Sequence, residues 1–259
     1  RRMIVYSETK DRFREDVFSN KIESLILELF KTKTKRSVGR SEIASWKNSM
    51  QFMDRVLGDD GIPGDARVGI EYTIPQSAKR IDFLLCGADA ERQDTVVIVE
   101  LKQWQALKAT PKDAIVRTAM GGGEVETEHP SYQAWTYAAL LEDYNETVRD
   151  ERIQLYPCAY LHNCVSGTEV RSHFYSEHLK KAPVFIRDDA RALQDFIKQH
   201  VRYGERSDLL YRIDHGRIRP SKNLADAVSS MLKGNREFLM IDDQKLVYET
   251  ALSLAAEAQ

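Results

Sequence analysis

The sequence has few cysteines and no long apolar run. Its three cysteines are odd in number and irregularly spaced, so a disulfide framework of the secreted kind is not expected. No apolar run approaches the roughly eighteen residues that a membrane-spanning helix needs, and the first residues turn charged too early for a signal peptide. We therefore expect a cytoplasmic protein without a membrane partner.

The sequence also lacks a strong net charge and a nucleotide-binding loop. A formal net charge of −2 argues neither for nor against a nucleic-acid partner. The glycine-rich stretch "GGGEVETEH" lacks the lysine of a P-loop, so the chain is not expected to hydrolyse ATP by itself. Basic residues concentrate at 31–40, where no acid occurs. That segment is either a solvated loop or a phosphate-contacting surface to which Lys33, Lys35 and Arg36 contribute.

Helical and strand patterns alternate along the chain. The helical stretch "NKIESLILELF" is followed by "SEIASWKNSMQFMDRVL", with Ser41 as its predicted N-cap. Three strands, a glycine-bearing loop, a helix and a fourth strand come next. The elements of that series are "ARVGIEYTI", "RIDFLLC", "TVVIVELK", "MGGGEVETEHP", "SYQAWTYAALLEDY" and "IQLYPCAYLH". The order predicts a mixed α/β sheet flanked by helices.

The domain prediction follows from the same order of elements. Residues 1–40 form an N-terminal helical segment with the basic loop, and residues 41–165 form the α/β core. Residues 166–259 form a mostly helical C-terminal extension. It begins with the short strand "APVFI" and continues with helices predicted near 188–203, 221–234 and 242–257.

Charged residues close the most apolar strand. In "VVIVELK", Glu100 and Lys102 alternate onto the same face, and Asp82 on the preceding strand can converge with them. A buried ion pair is one interpretation, but taking two charges out of water costs several kcal/mol per ion. Two carboxylates and the Leu101 carbonyl are hard ligands that suit Mg²⁺ or Mn²⁺. We favour a metal site, with Lys102 orienting a nucleophile or balancing phosphoryl charge.

These residues carry a family resemblance. "RID" followed by "ELK" resembles the active-site signature of the PD-(D/E)XK nuclease superfamily, whose restriction-endonuclease-like core has the αβββαβ order described above. The resemblance implies Mg²⁺- or Mn²⁺-dependent phosphodiester hydrolysis, with Asp82 and Glu100 as ligands and Lys102 as catalytic lysine. Such families often add an acid from the first core helix. Glu42 is the best match for it, and Glu71 on the first strand is its competitor.

A second motif narrows the resemblance. "QAWTY" places Gln133 and Tyr137 on one helix face, which resembles the Gln-x-x-x-Tyr motif of the RecB-like branch and implies substrate contacts. Tyr137 as an ordinary core residue is the alternative. The sequence departs from the family pattern in having Ile81, not proline, before Asp82.

More loosely, the chain resembles the N-terminal nuclease-like region of bacterial superfamily-one helicase proteins related to the Schlafen type. That likeness implies a helicase domain or subunit as partner. The residues do not distinguish DNA from RNA, but the resemblance favours DNA. Two other classes stay open: a non-cleaving nucleic-acid-binding module, and a regulatory interaction module whose charged strand end is only an ion pair. His129 is a weaker candidate for a phosphate contact.

Overall fold

The computed structural model describes residues 3–75, 77–233 and 243–257. Its strands are β1 (Ile4–Thr9), β2 (Arg67–Thr73), β3 (Arg80–Ala88), β4 (Asp94–Lys102), β5 (Leu107–Ala109), β6 (Ile115–Met120), β7 (Gly123–Glu128), β8 (Gln154–Leu161) and β9 (Val184–Ile186). Its α-helices are α1 (Lys10–Phe18), α2 (Ile22–Thr34), α3 (Arg40–Leu57), α4 (Pro130–Tyr144), α5 (Glu146–Asp150), α6 (Ser176–Lys181), α7 (Ala190–His200), α8 (Leu209–Asp214), α9 (Lys222–Leu232) and α10 (Asp243–Glu257).

A mixed sheet of six strands in the order β1-β2-β3-β4-β8-β9 organises the fold. Strands β1 to β4 pair antiparallel, whereas β8 runs parallel to β4, and β9 parallel to β8. Strands β5, β6 and β7 form a small antiparallel sheet inserted between β4 and α4. The predicted mixed α/β sheet with flanking helices is confirmed. The large sheet and its helices follow the order α3, β2, β3, β4, α4 and β8, with the small sheet inserted before α4 and the short helix α5 before β8.

Helices cover both faces of the large sheet. Side chains of α1, α2, α3 and α7 form one apolar cluster with the sheet, around Phe13, Phe30, Trp46 and Leu193. Side chains of α4 and α8 form a second cluster on the opposite face. Strands β3 and β4 lie in the middle and are buried on both faces, which explains the unbroken run "VVIV".

Three local predictions are wrong. The first element is not a helix: β1 forms the sheet edge by pairing with β2, and α1 follows it. Helix α3 begins at Arg40 with Gly39 as N-cap, so Ser41 lies inside the first turn and does not cap it. The predicted glycine-bearing loop is a hairpin, in which Gly121 and Gly122 adopt the positive φ angles of a tight turn between β6 and β7.

The C-terminal extension is mostly helical, as predicted, within the described residues. Helix α10 is held against the small sheet by Lys245, whose ammonium lies 2.8 Å from Asp113 Oδ2 and 2.7 Å from Glu249 Oε1. The predicted helix bounds at 234 and 242 lie outside the described residues. None of the helices in the described segments has both the length and the apolarity needed to cross a membrane.

Candidate active site

The backbone departs from regular strand geometry at Glu71. Ile70 and Phe83 are paired and face α3, whereas Tyr72 and Ile81 are paired and face α4. The alternation of side chains therefore switches between these two pairs. Glu71 has a φ of 57°, a left-handed conformation that costs a residue other than glycine about 1–3 kcal/mol. The surrounding structure must therefore stabilise this conformation of Glu71.

Asp82, Glu100 and Lys102 meet where β3 and β4 separate. The paired register ends at Phe83 and Val99, so Asp82 and Glu100 occupy the next opposing positions. The Leu101 amide donates a hydrogen bond to Asp82 Oδ2 at 2.9 Å. Lys102 Nζ lies 2.8 Å from Glu100 Oε1. The structure thus brings together the three residues that the sequence analysis selected.

The charged groups at this sheet end shift one another's pKa values. The pKa of Asp82 is raised well above its usual range, first by burial and then by the charges of Glu100 and Glu71. Burial lowers the pKa of Lys102, but Glu100 and Asp82 outweigh it, so the pKa of Lys102 is raised overall. Glu100 is almost fully buried, and its Oε2 has no hydrogen-bond partner among the described residues. The protein holds crowded carboxylates next to one ammonium.

A cleft of about 350 Å³ opens between α3 and the sheet at Asp82. Its wall on the helix side contains a stripe of hydroxyl groups from Ser41, Ser45 and Ser49, spaced four residues apart on one face of α3. The remaining lining residues are Glu42, Trp46, Met50, Glu71, Arg80, Asp82 and Leu101. The cleft therefore contains Asp82 together with Glu42 and Glu71, the two candidates for an additional acid of the site.

Arg80 bridges those two acids. Its guanidinium lies 2.8 Å from Glu42 Oε1 and 2.8 Å from Glu71 Oε2. The Trp46 indole donates to Glu71 Oε1 at 2.9 Å, which fixes the second oxygen. Burial raises the pKa of Glu71, although Arg80 and Trp46 oppose that shift. The sequence analysis missed Arg80, although its position two residues before Asp82 on the same strand was a signal that could have identified it.

Gln133 and Tyr137 lie on the α4 side of the same sheet end. The Gln133 amide donates to the Tyr137 hydroxyl at 2.8 Å. The pKa of Tyr137 is raised well above its usual range, first by burial and then by the charges of Glu100 and Asp82. Tyr137 also packs in the apolar cluster of α4. Its hydroxyl therefore stays protonated beside the carboxylates while its ring belongs to the core.

The basic residues of the 31–40 segment differ in their surroundings. Lys33 Nζ donates to the carbonyls of Ile4 and Val5 at 2.8 and 2.7 Å, so it stabilises the beginning of β1. That role does not support its predicted phosphate contact. Lys35 and Arg36 are exposed. Arg36 lines a second cleft, which shares Glu42 and Arg80 with the first.

His129 does not contact solvent, so the suggested phosphate contact is wrong. The residue is fully buried and caps α4: its Nδ1 accepts from the Ser131 amide at 3.0 Å, and its Nε2 lies 2.8 Å from the Val170 carbonyl. Burial lowers its pKa to about 4. His129 is therefore a neutral structural residue.

The arrangement fits a cation with few protein ligands. Within residues 3–75, 77–233 and 243–257, no group of three or more histidine, cysteine, aspartate or glutamate side chains is arranged to hold a metal ion. Two carboxylates are nevertheless enough for Mg²⁺, which usually keeps several waters and takes other ligands from substrate phosphates. The unpartnered Glu100 Oε2 is the observation that favours such a ligand. The described contacts involve the Leu101 amide, and its carbonyl as ligand stays a prediction.

The crowding of carboxylates predicts that Asp82→Asn stabilises the protein. Asparagine keeps an acceptor for the Leu101 amide and removes a charge that burial, Glu100 and Glu71 all disfavour. We expect the free energy of unfolding at pH 7 to rise by roughly 0.5–2 kcal/mol, measured by urea denaturation. Because the folded pKa of Asp82 is raised, the stability of the wild type should increase as the pH falls through that pKa toward the lower pKa of the unfolded chain.

Asp94→Asn is the matched control. Asp94 lies at the other end of β4 and pairs with Arg212 at 3.1 Å, so its replacement should lower stability. A loss of stability in Asp82→Asn similar to that of the control would show that Asp82 belongs to a structural ion-pair network instead.

Comparisons with known proteins assign no function to the chain. No family model, curated protein or solved structure gives a significant match to the chain.

Proposed function

We propose that the protein is a metal-dependent nuclease that hydrolyses phosphodiester bonds of nucleic acid. The observation that carries the proposal is the meeting of Asp82, Glu100 and Lys102 where β3 and β4 separate, with the lysine 2.8 Å from Glu100. The unit α3–β2–β3–β4–α4–β8 supports a restriction-endonuclease-like fold for the proposed nuclease domain. Its RecB-like affiliation rests on Gln133 and Tyr137, which share a hydrogen bond near these carboxylates.

Each side chain has a proposed chemical task. Asp82 and Glu100, with the Leu101 carbonyl, would hold Mg²⁺ or Mn²⁺. When bound, such an ion supplies a Lewis acid and lowers the pKa of its water. Glu100 and Asp82 raise the pKa of Lys102, and its ammonium is suited to stabilise negative charge on a phosphoryl oxygen. Tyr137 and Gln133 offer hydrogen bonds to the substrate backbone.

Arg36 and Lys35 are the proposed phosphate contacts outside the cleft. Both are exposed, and Arg36 lines the second cleft, which adjoins the first through Glu42 and Arg80. A nucleic-acid strand that left the first cleft along this wall would pass hydroxyl and guanidinium groups. Such contacts add affinity that weakens with salt and carries little sequence information. DNA as substrate, and a helicase domain or subunit as partner, are further parts of the proposal that rest on resemblance.

A second candidate is a nucleic-acid-binding or regulatory module that does not cleave. The observation that favours it is the closed ion pair between Lys102 and Glu100, which neutralises one carboxylate without a metal. The unpartnered Glu100 Oε2 and the raised pKa of Asp82 argue against it, because a purely structural ion pair would not retain an unsatisfied acceptor and a second, disfavoured charge.

One experiment separates the two candidates. The purified protein is incubated with single- and double-stranded DNA and RNA in Mg²⁺, Mn²⁺ or EDTA, and Mn²⁺ binding is measured by calorimetric titration. The nuclease proposal expects Mn²⁺ binding and cleavage that EDTA abolishes. Nucleic-acid binding without Mn²⁺ binding or cleavage would establish the second candidate and overturn the first.

A further inference from the structure

Arg80 is buried in part and makes two ion pairs inside the cleft. Its guanidinium contacts Glu42 of α3 and Glu71 of β2 at 2.8 Å each, and its side chain is 37 % exposed. The guanidinium carbon also lies 5.5 Å from the centre of the Phe30 ring, so the side chain is held from several directions. One cation thus pairs with two acids in the wall that also contains Asp82.

The surroundings show that Glu71 is not simply a partner that stabilises Arg80. Glu71 is almost fully buried and keeps a strained φ of 57°. The Trp46 indole and the Arg80 guanidinium each hold one oxygen of this carboxylate, and a buried ion pair of this kind contributes little net stability by itself. The change of face at Glu71 places the carboxylate in the cleft wall, where its charge can act on a ligand.

We propose that Arg80 is an internal counter-ion that competes with a divalent cation for the carboxylates of the cleft and is released by a substrate phosphate. This inference rests on the proposed nuclease function. Without substrate, the charge of Arg80 opposes entry of a divalent cation. A phosphate that binds the guanidinium would draw it from Glu42 and Glu71, since planar bidentate pairing with phosphate is a preferred interaction of arginine.

The consequence is a coupling between two ligands. If the phosphate of the nucleic acid draws the guanidinium away from the two acids, binding of nucleic acid must tighten binding of the cation. The cation must then tighten binding of the nucleic acid by the same factor. The protein would then hold its metal weakly until substrate is present. Because the coupling is a property of binding, it can be measured without any turnover.

The test compares Mn²⁺ affinity in the wild type and in Arg80→Gln by calorimetric titration. Each protein is titrated alone and with a single-stranded oligonucleotide whose linkages are phosphorothioate. We expect Arg80→Gln to bind Mn²⁺ about tenfold more tightly than the wild type without oligonucleotide, because one opposing charge has been removed. With oligonucleotide bound, the wild type should gain affinity and the difference should largely disappear. Arg80→Lys should give an intermediate affinity.

Arg14→Gln is the matched control. Arg14 pairs with Asp54 near the other end of α3 at 2.9 Å and has a similar exposure of 42 %, so its replacement should leave Mn²⁺ affinity unchanged. Thermal unfolding with and without Mn²⁺ checks folding: since Glu71 loses its counter-ion, Arg80→Gln should be less stable in EDTA and should gain more from Mn²⁺ than the wild type.

Two results would overturn the inference in distinguishable ways. Wild-type Mn²⁺ binding that Arg80→Gln leaves unchanged or weakens would reject the counter-ion role and leave the nuclease proposal intact. Absence of Mn²⁺ binding in the wild type, in Arg80→Gln and in Arg80→Lys would reject both.

Discussion

Replacing Lys102 with methionine is expected to reduce nucleic-acid cleavage by at least about a hundredfold. Methionine keeps the length of the side chain and removes the ammonium that lies 2.8 Å from Glu100. Loss of one preorganised group that stabilises charge in the transition state typically costs about 10²–10³ in rate. Single-turnover cleavage of a labelled oligonucleotide, with enzyme in excess over substrate, measures the change.

Glu100→Gln should give a loss of similar or greater size by a different route. Glutamine nearly preserves the shape of the side chain but supplies one neutral oxygen in place of two that share a charge, so metal binding should weaken as well as cleavage. The two variants are thus distinguished by Mn²⁺ titration: Lys102→Met should still bind Mn²⁺, and Glu100→Gln should bind it poorly.

Lys112→Met is the matched control for both variants. Lys112 is buried to a similar extent, with 14 % of its side chain exposed against 18 % for Lys102, and it pairs with Glu126 at 2.6 Å. It lies in the loop between β5 and β6 of the small sheet, so its loss should affect stability and leave cleavage intact. Cleavage that survives both Lys102→Met and Glu100→Gln would show that neither residue takes part in the mechanism.

Much of the fold could be predicted because the central strands are buried on both faces. Strands of that kind are continuous apolar runs, and the run "VVIV" in β4 and the apolar residues of β3 gave both strands directly. The pairing of Glu100 with Lys102 was also predictable, since a two-residue spacing in a strand puts two side chains on one face. Asp82, the third residue of the candidate site, followed from the order of the strands.

Other parts of the fold depend on contacts between residues that are distant in sequence, or on backbone geometry. Strand β1 forms the sheet edge by pairing with β2, about sixty residues later, and its six residues, "IVYSET", do not predict that partner. The change of face between Ile70 and Tyr72 requires a positive φ at Glu71, and no sequence rule places a glutamate there. The hairpin of β6 and β7 did have a signal, because adjacent glycines between alternating segments favour a two-residue turn.

Acidification between pH 6.5 and 4 is expected to cost the protein roughly 3 kcal/mol of stability through His129 alone. The ring is fully buried, and burial lowers its pKa from 6.5 to about 4. Between pH 6.5 and 4, His129 is protonated in the unfolded chain but not in the folded protein. Its contribution to stability is therefore complete above pH 6.5 and falls as the pH drops. A proton on Nδ1 would also oppose the Ser131 amide that now donates to it, and would so remove the cap of α4.

The measurement is the free energy of unfolding in urea at pH 7, 5.5 and 4 for the wild type and His129→Asn. Asparagine is a good N-cap and does not titrate, so the variant should lose less stability on acidification, even if it is somewhat less stable at pH 7. The difference between the two proteins isolates His129, because Asp82 contributes the opposite slope equally in both. His173→Asn, at an exposed position, should behave as the wild type does.

Equal acid sensitivity in the wild type and His129→Asn would contradict this assignment. The expected outcome has a functional consequence, because α4 carries Gln133 and Tyr137 and its first turn depends on His129. If acid removes the cap, these two residues lose their position beside the carboxylates before the rest of the sheet unfolds. Nucleic-acid binding should then decline over the same pH range in the wild type and persist to lower pH in His129→Asn.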